Sequence, residues 1–265
     1  MRIGLIGCGN IGLFLLKAIN HLSKIPDCKI ISILDERDFV ENKLSKLAEE
    51  YQCTYYQDID PFLNSDLDLV VEAANVESAL KYVKTVLGRK INLLLASVGA
   101  LSDDEFYSSI QAICKENNAQ LYIPSGAVGG LDLVKAAEIM GELESVEIKT
   151  SKPPHSLSDH PEELQSAKTI FDGIAKKAIK EFPKNTNVSI ALSLAGIGAD
   201  KTKVRILADP MIQCNTHEVT AIGTFGHMNI KIEANPMPNN PKTSYLAALS
   251  VLSVINQLNQ PIKII

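Results

Sequence analysis

Through the first half of the chain, short apolar runs alternate with longer stretches whose apolar residues recur every three or four positions. The runs are Arg2–Gly7, Lys29–Leu34, Leu67–Ala73, Ile91–Ala96 and Gln120–Ile123. Residues 12–22, 38–51, 76–88 and 103–117 between them carry helical spacing. Strands that are apolar on both faces, each followed by an amphipathic helix, predict a parallel sheet covered on both sides.

The pattern changes after Pro124. A glycine-rich loop, Ser125–Asp132, leads into a helix over 131–141, and Glu144–Thr150 alternates as a strand does. Ser151–Pro161 carries prolines and reads as a loop. Residues 162–182 place Leu164, Ala167, Ile170, Phe171, Ile174, Ala178 and Phe182 on one stripe, which predicts a long helix. A short helix over 187–197 follows, then strands over 202–208, 215–222 and 226–234. Their period-two pattern (Val204, Ile206; Met228, Ile230, Ile232) predicts a half-solvated antiparallel sheet. A proline-rich loop, 235–241, precedes a last helix over 243–258, with Thr243 or Ser244 as its N-cap. The expected architecture is α/β: a parallel-sheet domain over 1–124 and an α+β domain with a largely antiparallel sheet over 125–241. Residues 242–265 are expected to return to the first domain.

Composition narrows the function. With 265 residues the chain is long enough to bury a substantial core. A net charge of −5 argues against a nucleic-acid partner. The apolar N-terminus is interrupted by four glycines, an asparagine and a lysine, so it predicts a strand and a helix rather than a membrane span. Five cysteines at irregular spacing, without a C-x-x-C pair, predict reduced thiols in a cytoplasmic protein.

Gly7-Cys8-Gly9-Asn10-Ile11-Gly12 matches G-x-G-x-x-G between an apolar strand and a helix, the context in which that pattern binds a dinucleotide in a Rossmann-type domain. Gly7 permits the tight turn, Gly9 lets a pyrophosphate approach the backbone, and Gly12 allows close helix–sheet packing. The helix start presents amide donors and the positive end of a dipole to the phosphates. Asp35, 23 positions after Gly12 at the end of the second strand, suits a ribose hydroxyl and repels a 2′-phosphate. That favours NAD, while Arg37 nearby keeps NADP compatible. A bare structural turn with a solvated Asp35 is the bland reading, and strand, loop, helix and acid in register outweigh it.

Among the histidines (21, 155, 160, 217 and 227), none stands at a zinc-binding spacing from another ligand, so no metal site is expected. His217 starts a strand beside the polar residues Asn215 and Thr216, where an imidazole could serve acid–base chemistry; a lone histidine is more often structural. Lys152, Lys242 and Asn215 are candidates for binding a substrate, the lysines by charge-assisted hydrogen bonds to a carboxylate. Solvated lysines are the ordinary alternative. Asn187 either caps the helix that follows or hydrogen-bonds a ligand amide.

Taken together, these segments resemble the L-aspartate dehydrogenase family over nearly the whole chain. The resemblance rests on the glycine loop, Val71-Glu72-Ala73-Ala74, Ala96–Leu101, Ile123–Asp132, Lys152-Pro153-Pro154, Phe182–Val188, Ala208-Asp209-Pro210, Asn215-Thr216-His217 and Asn240–Ser244. It implies NAD(P)-dependent oxidative deamination of L-aspartate through iminosuccinate to oxaloacetate and ammonia, with the imine able to feed NAD biosynthesis. It places His217 on the family's catalytic histidine and Ala127 and Asn187 on positions that contact the cofactor near its nicotinamide. It also implies a homodimer. Two other readings stay compatible with the residues: a related imine or carbonyl oxidoreductase, similar to dihydrodipicolinate reductase or homoserine dehydrogenase, and a non-catalytic NAD-binding sensor.

Overall fold

The computed structural model describes residues 1–36, 43–157, 164–182, 186–238 and 240–264, with the backbone alone described for 240–242. The chain divides into two compact units, Met1–Pro124 with Val251–Ile264, and Ser125–Ser250.

The first unit runs β1 (Arg2–Ile6), α1 (Asn10–Leu16), β2 (Lys29–Leu34), α2 (Lys43–Glu50), β3 (Thr54–Tyr56), α3 (Ile59–Leu63), β4 (Leu69–Glu72), α4 (Val76–Gly88), β5 (Asn92–Leu95), α5 (Asp104–Asn117) and β6 (Leu121–Tyr122). Six parallel strands lie in the order β3-β2-β1-β4-β5-β6. The order reverses between β1 and β4, which opens a crevice at the carboxyl ends of the strands, the place where such sheets bind ligands. Ile3, Leu5, Ile30, Ile33, Leu69 and Val71 form the core with Leu15 and Leu16 of α1 and with Val251 and Ile255 of the C-terminal helix. Beyond Leu16 the first helix continues through Lys17–His21 as a wider turn, in which the Leu22 amide reaches back five residues to the Lys17 carbonyl (2.9 Å). β3 and α3 are additions to the sequence reading; each is too short to declare a period. Of the helix expected over 38–51, residues 38–42 lie outside the described residues.

The second unit contains α6 (Leu131–Ile139), β7 (Leu143–Lys152), α7 (Pro154–Leu157), β8 (Lys168–Ile174), α8 (Ala175–Glu181), α9 (Asn187–Ala195), β9 (Lys203–Ala208), β10 (Asn215–Gly223), β11 (Gly226–Ala234), β12 (Pro236–Met237), β13 (Asn240–Ser244) and α10 (Tyr245–Asn259), which runs on into the first unit from Val251. Its sheet order is β11-β10-β7-β9-β8. β7 and β9 pair in parallel and the other neighbours are antiparallel, so the sheet is mixed. One sheet face is apolar. Val146, Ile148, Val204, Ile206, Val219 and Ala221 pack there against Val134 of α6, Ala175 and Ala178 of α8, and Leu192 of α9. Among the described residues no helix is long and apolar enough to cross a membrane.

Four expectations are corrected. Of the helix expected over 162–182, residues 162 and 163 lie outside the described residues, and the rest holds strand β8 followed by the short α8. Ile170, Phe171 and Ile174 satisfy a helical stripe, but with Thr169 they are strand-favouring residues, and antiparallel pairing with β9 decides the matter. Ser151 and Lys152 belong to β7 rather than to a loop, and Pro154–Leu157 form a helical turn. The proline-rich 235–241 segment pairs as β12 and β13. Ser244 does not cap α10: its hydroxyl is buried without a hydrogen-bond partner.

Candidate active site

Each sheet carries polar groups where its apolar run stops. In the first unit β1 ends at Gly7, whose φ of +94° is a backbone state that side chains resist. The Gly7 amide donates to the Leu34 carbonyl (2.8 Å), tying the turn to β2. A Cβ on Gly12 would lie 2.1 Å from the Gly7 carbonyl, so α1 approaches the turn this closely only with glycine there. At Gly9 a Cβ would meet nothing within 4 Å. Gly9 is also the N-cap of α1, and as a glycine it brings no side chain to the amides of Asn10, Ile11 and Gly12. The result is a helix start with room in front of it and donors suited to an anion.

Asp35 follows β2 and is buried. Its Oδ2 accepts the Cys8 amide (2.8 Å), which binds the carboxylate to the glycine turn. Asp35, Gly7, Leu34, Ala74, Ser78 and Tyr82 line a concavity, with Glu36 at its side. Glu36 accepts hydrogen bonds from Lys81 Nζ and Tyr82 Oη of α4. Open space at Gly9, an uncapped helix start and an acid at the strand end are the groups a dinucleotide requires. Arg37 lies outside the described residues.

Glu72 closes the same edge. It is fully buried at the end of β4, and its Oε1 accepts the amides of Ala74 (2.9 Å) and Asn75 (3.1 Å) and the Ser97 hydroxyl (3.0 Å). Oε2 accepts the Ser97 amide (3.0 Å). Burial raises its pKa to about 6 even though these hydrogen bonds favour the charged form. One carboxylate thus locks together the loops that follow β4 and β5.

In the second unit the apolar sheet face turns polar at one end. Along β7 the buried positions are Val146, Ile148, Thr150 and Lys152; along β10 they are Asn215, His217, Val219 and Ala221. His217 is paired in register with Thr150, and Thr216 with Ser151. Asn215 and Lys152 are the next buried positions beyond the His217–Thr150 pair, at the ends of the two strands. His217 Nδ1 lies 3.0 Å from Thr150 Oγ1. Burial first, and the charge of Lys152 second, hold the His217 pKa at about 3. Burial alone pushes Lys152 down to about 8. The end of this sheet therefore carries a neutral imidazole and an ammonium that gives up its proton readily.

The fold brings His217, Lys152 and Asn215 onto one face. Ala127 is buried in the loop before α6. Asn187 is the exposed first residue of α9, where Thr186 is the N-cap and no side chain caps the helix. The Lys242 side chain lies outside the described residues, as does His160. His21, His155 and His227 are exposed. Among the described residues, no group of three or more His, Cys, Asp or Glu side chains could hold a metal ion. Sequence reasoning passed over Thr150 as a functional residue, although a signal existed: it breaks the apolar alternation of Val146 and Ile148 on the face that Lys152 continues. It used Glu72 only as part of a motif, although a charged residue ending the run Leu69-Val70-Val71 marks a buried acid that must find donors.

A family model described as the C-terminal region of aspartate dehydrogenase matches residues 132–258, and one described as the NAD binding domain of homoserine dehydrogenase matches residues 7–124. The chain is 37% identical over 273 residues to an L-aspartate dehydrogenase of Methanosarcina mazei, covering 100% of this chain and 99% of the relative. It is 38% identical over 271 residues to one of Methanocaldococcus jannaschii, with the same coverage. Among solved structures it is similar to an aspartate dehydrogenase from Thermotoga maritima, with a TM-score of 0.80, 28% identity, and coverage of 100% of this chain and 99% of that one.

Proposed function

The chain belongs to the L-aspartate dehydrogenase family, and from that premise we propose how its residues divide the work of an NAD-dependent amino-acid dehydrogenase. L-Aspartate, NAD⁺ and water give oxaloacetate, ammonium, NADH and a proton, through iminosuccinate. NAD, when bound, supplies the acceptor for the hydride that leaves Cα. The glycine turn and α1 start hold its pyrophosphate, and Asp35 takes a ribose hydroxyl. Ala127 and Asn187 serve its nicotinamide end.

The observation that carries the catalytic assignment is the buried polar end of the second unit's sheet, with His217, Thr150, Lys152 and Asn215 on one face. Buried polar groups are costly unless paired, and this set interrupts an otherwise apolar surface. Lys152, Asn215 and Lys242 receive the two carboxylates, where charge-assisted bonds are strongest. His217 manages the protons as water adds to the imine carbon and ammonia leaves. Released before water adds, the imine formed by this oxidation is available to nicotinamide synthesis.

The test mixes purified protein with oxaloacetate, ammonium and NADH. Ammonium-dependent loss of NADH absorbance, with aspartate as product, is expected. Oxidation without ammonium would instead mark a carbonyl reductase, and NADH binding without turnover would mark a sensor.

Cofactor choice is testable at Asp35. Asp35→Ser removes a hydrogen bond to a charged group and a negative charge from the ribose site. NADH should bind roughly tenfold more weakly, and the preference over NADPH should shrink or invert. Fluorescence titration of both cofactors measures this; an unchanged ratio would remove Asp35 from the ribose site.

A further inference from the structure

The hydrogen bond between Thr150 and His217 carries more than orientation. A threonine hydroxyl has one proton to donate and two lone pairs. Thr150 is buried on the sheet face, and its hydroxyl has a single protein partner among the described residues, Nδ1 of His217 at 3.0 Å. The pair has two protons and one bond between them; Nε2 of His217 is not sealed from solvent, so a proton there can be met by water, whereas an unbonded hydroxyl proton on Thr150 would be left buried. The hydroxyl therefore donates, Nδ1 accepts, and the ring proton sits on Nε2. Lys152 stands two residues further along the same strand face and opposes a second proton on the ring.

We infer that Thr150 is a positioning residue that fixes His217 as the neutral Nε2–H tautomer, so that the imidazole enters the reaction as a hydrogen-bond donor rather than as a base. This rests on the reading of His217 as catalytic. A donor suits the reaction at a definite atom. When water adds to the imine carbon, the adduct carries a hydroxyl oxygen. As that adduct collapses, the C–N bond breaks with its electrons going to the departing ammonia, and the oxygen becomes the oxaloacetate carbonyl. In the aminating direction ammonia attacks that carbonyl carbon and the oxygen gains negative charge. An Nε2–H directed at this oxygen stabilises the charge without an imidazolium, and a neutral imidazole polarises a carbonyl well when its surroundings suppress protonation. His217 is in that condition, since burial and the Lys152 charge depress its pKa.

The experiment is ¹⁵N NMR of histidine-labelled full-length protein at neutral pH, with the His217 signals assigned by comparison with His217→Gln. Nδ1 should show the shift of an unprotonated, hydrogen-bonded nitrogen and Nε2 that of a protonated one. A protonated Nδ1 overturns the proposal. Alongside it, Thr150→Val should lower kcat for oxaloacetate amination roughly tenfold, with KM moving less, because the ring loses its fixed tautomer. Thr150→Ser should restore kcat. Wild-type kcat in Thr150→Val overturns the proposal; if that variant fails to fold, the NMR signals and Thr150→Ser still decide it. Full turnover in His217→Ala would remove the catalytic reading of His217 while leaving the tautomer as measured, so the two failures are distinguishable.

Discussion

His217→Ala should bind NADH within about twofold of the wild type and lose 10²- to 10⁴-fold in ammonium-dependent turnover, the range spanned by removing a positioned oxyanion donor or proton-transfer group. The separation follows from the architecture. The glycine turn, Asp35 and Glu72 belong to the first compact unit, whereas His217 sits on β10 in the second. Single-turnover mixing of enzyme and NADH with oxaloacetate and ammonium reads the chemical step; fluorescence titration reads the cofactor. The imidazole is buried, so alanine leaves a cavity and an unpaired Thr150 hydroxyl. His217→Gln fills more of that space and controls for packing loss. The same substitution changes acid stability in a determinate direction. The folded-state pKa of His217, about 3, lies below the ordinary 6.5. The unfolded chain therefore takes up this proton first, and stability falls as pH drops from about 6.5 toward 3. Glu72 works the other way: its raised pKa lets the folded state bind a proton first, between about 6 and 4.5. Removing His217 should flatten the acid limb of a urea-unfolding series. Turnover equal to wild type in both variants would remove His217 from the mechanism.

How much of this was legible beforehand depends on the distance over which each feature is decided. The glycine turn is local. Gly7, Gly9 and Gly12 stand within six positions, between a run that can only be a buried strand and a helix that needs no side-chain cap. Spacing alone places them, and Asp35 follows from the length of the unit. β8 is the opposite case. Residues 168–174 satisfy a helical stripe and a strand composition at once, and the edge of β9, some thirty residues later, chooses between them. The mixed character of the second sheet was hidden for a similar reason, because β9 pairs in parallel with β7 and the alternation of Val204 and Ile206 is indifferent to strand direction. The candidate site divides along the same line. His217 and Lys152 stand out in their own segments, as a polar strand start and as a lysine before two prolines. Thr150 acquires a role only once the β7–β10 register sets it opposite a histidine 67 positions away. Glu72 likewise needs Ser97, 25 positions on, to explain how a carboxylate survives full burial.

Lys152→Met should make the protein more stable and a poorer enzyme. Methionine matches the length of the lysine stem without its charge. Burial holds Lys152 at about 8 in the folded chain, against about 10.4 in an unfolded one. The sign is opposite to that of a lysine gaining a carboxylate. Between those values the unfolded state binds more protons, so this residue costs stability below pH 8 and the cost fades as pH rises toward 10.5. At pH 7 the ionisation cost relieved in Lys152→Met is about 2–3 kcal/mol, set against the loss of the lysine's own contacts, so Tm by calorimetry should rise by a few degrees. Catalysis should suffer chiefly in substrate capture. A charge-assisted bond to a carboxylate is worth about 1.5–3 kcal/mol, so KM for oxaloacetate should rise about 10- to 100-fold, with kcat changing less. In the wild type, kcat/KM for oxaloacetate should fall as pH rises through about 8, where the free enzyme loses the ammonium. A bound dicarboxylate favours the charged lysine, so the fall in kcat should lie at higher pH. Lys152→Met should show neither limb at that position. An unchanged KM with the alkaline limb intact would move carboxylate binding to other groups. A variant less stable than the wild type would mean that Lys152 is held by interactions stronger than its desolvation cost.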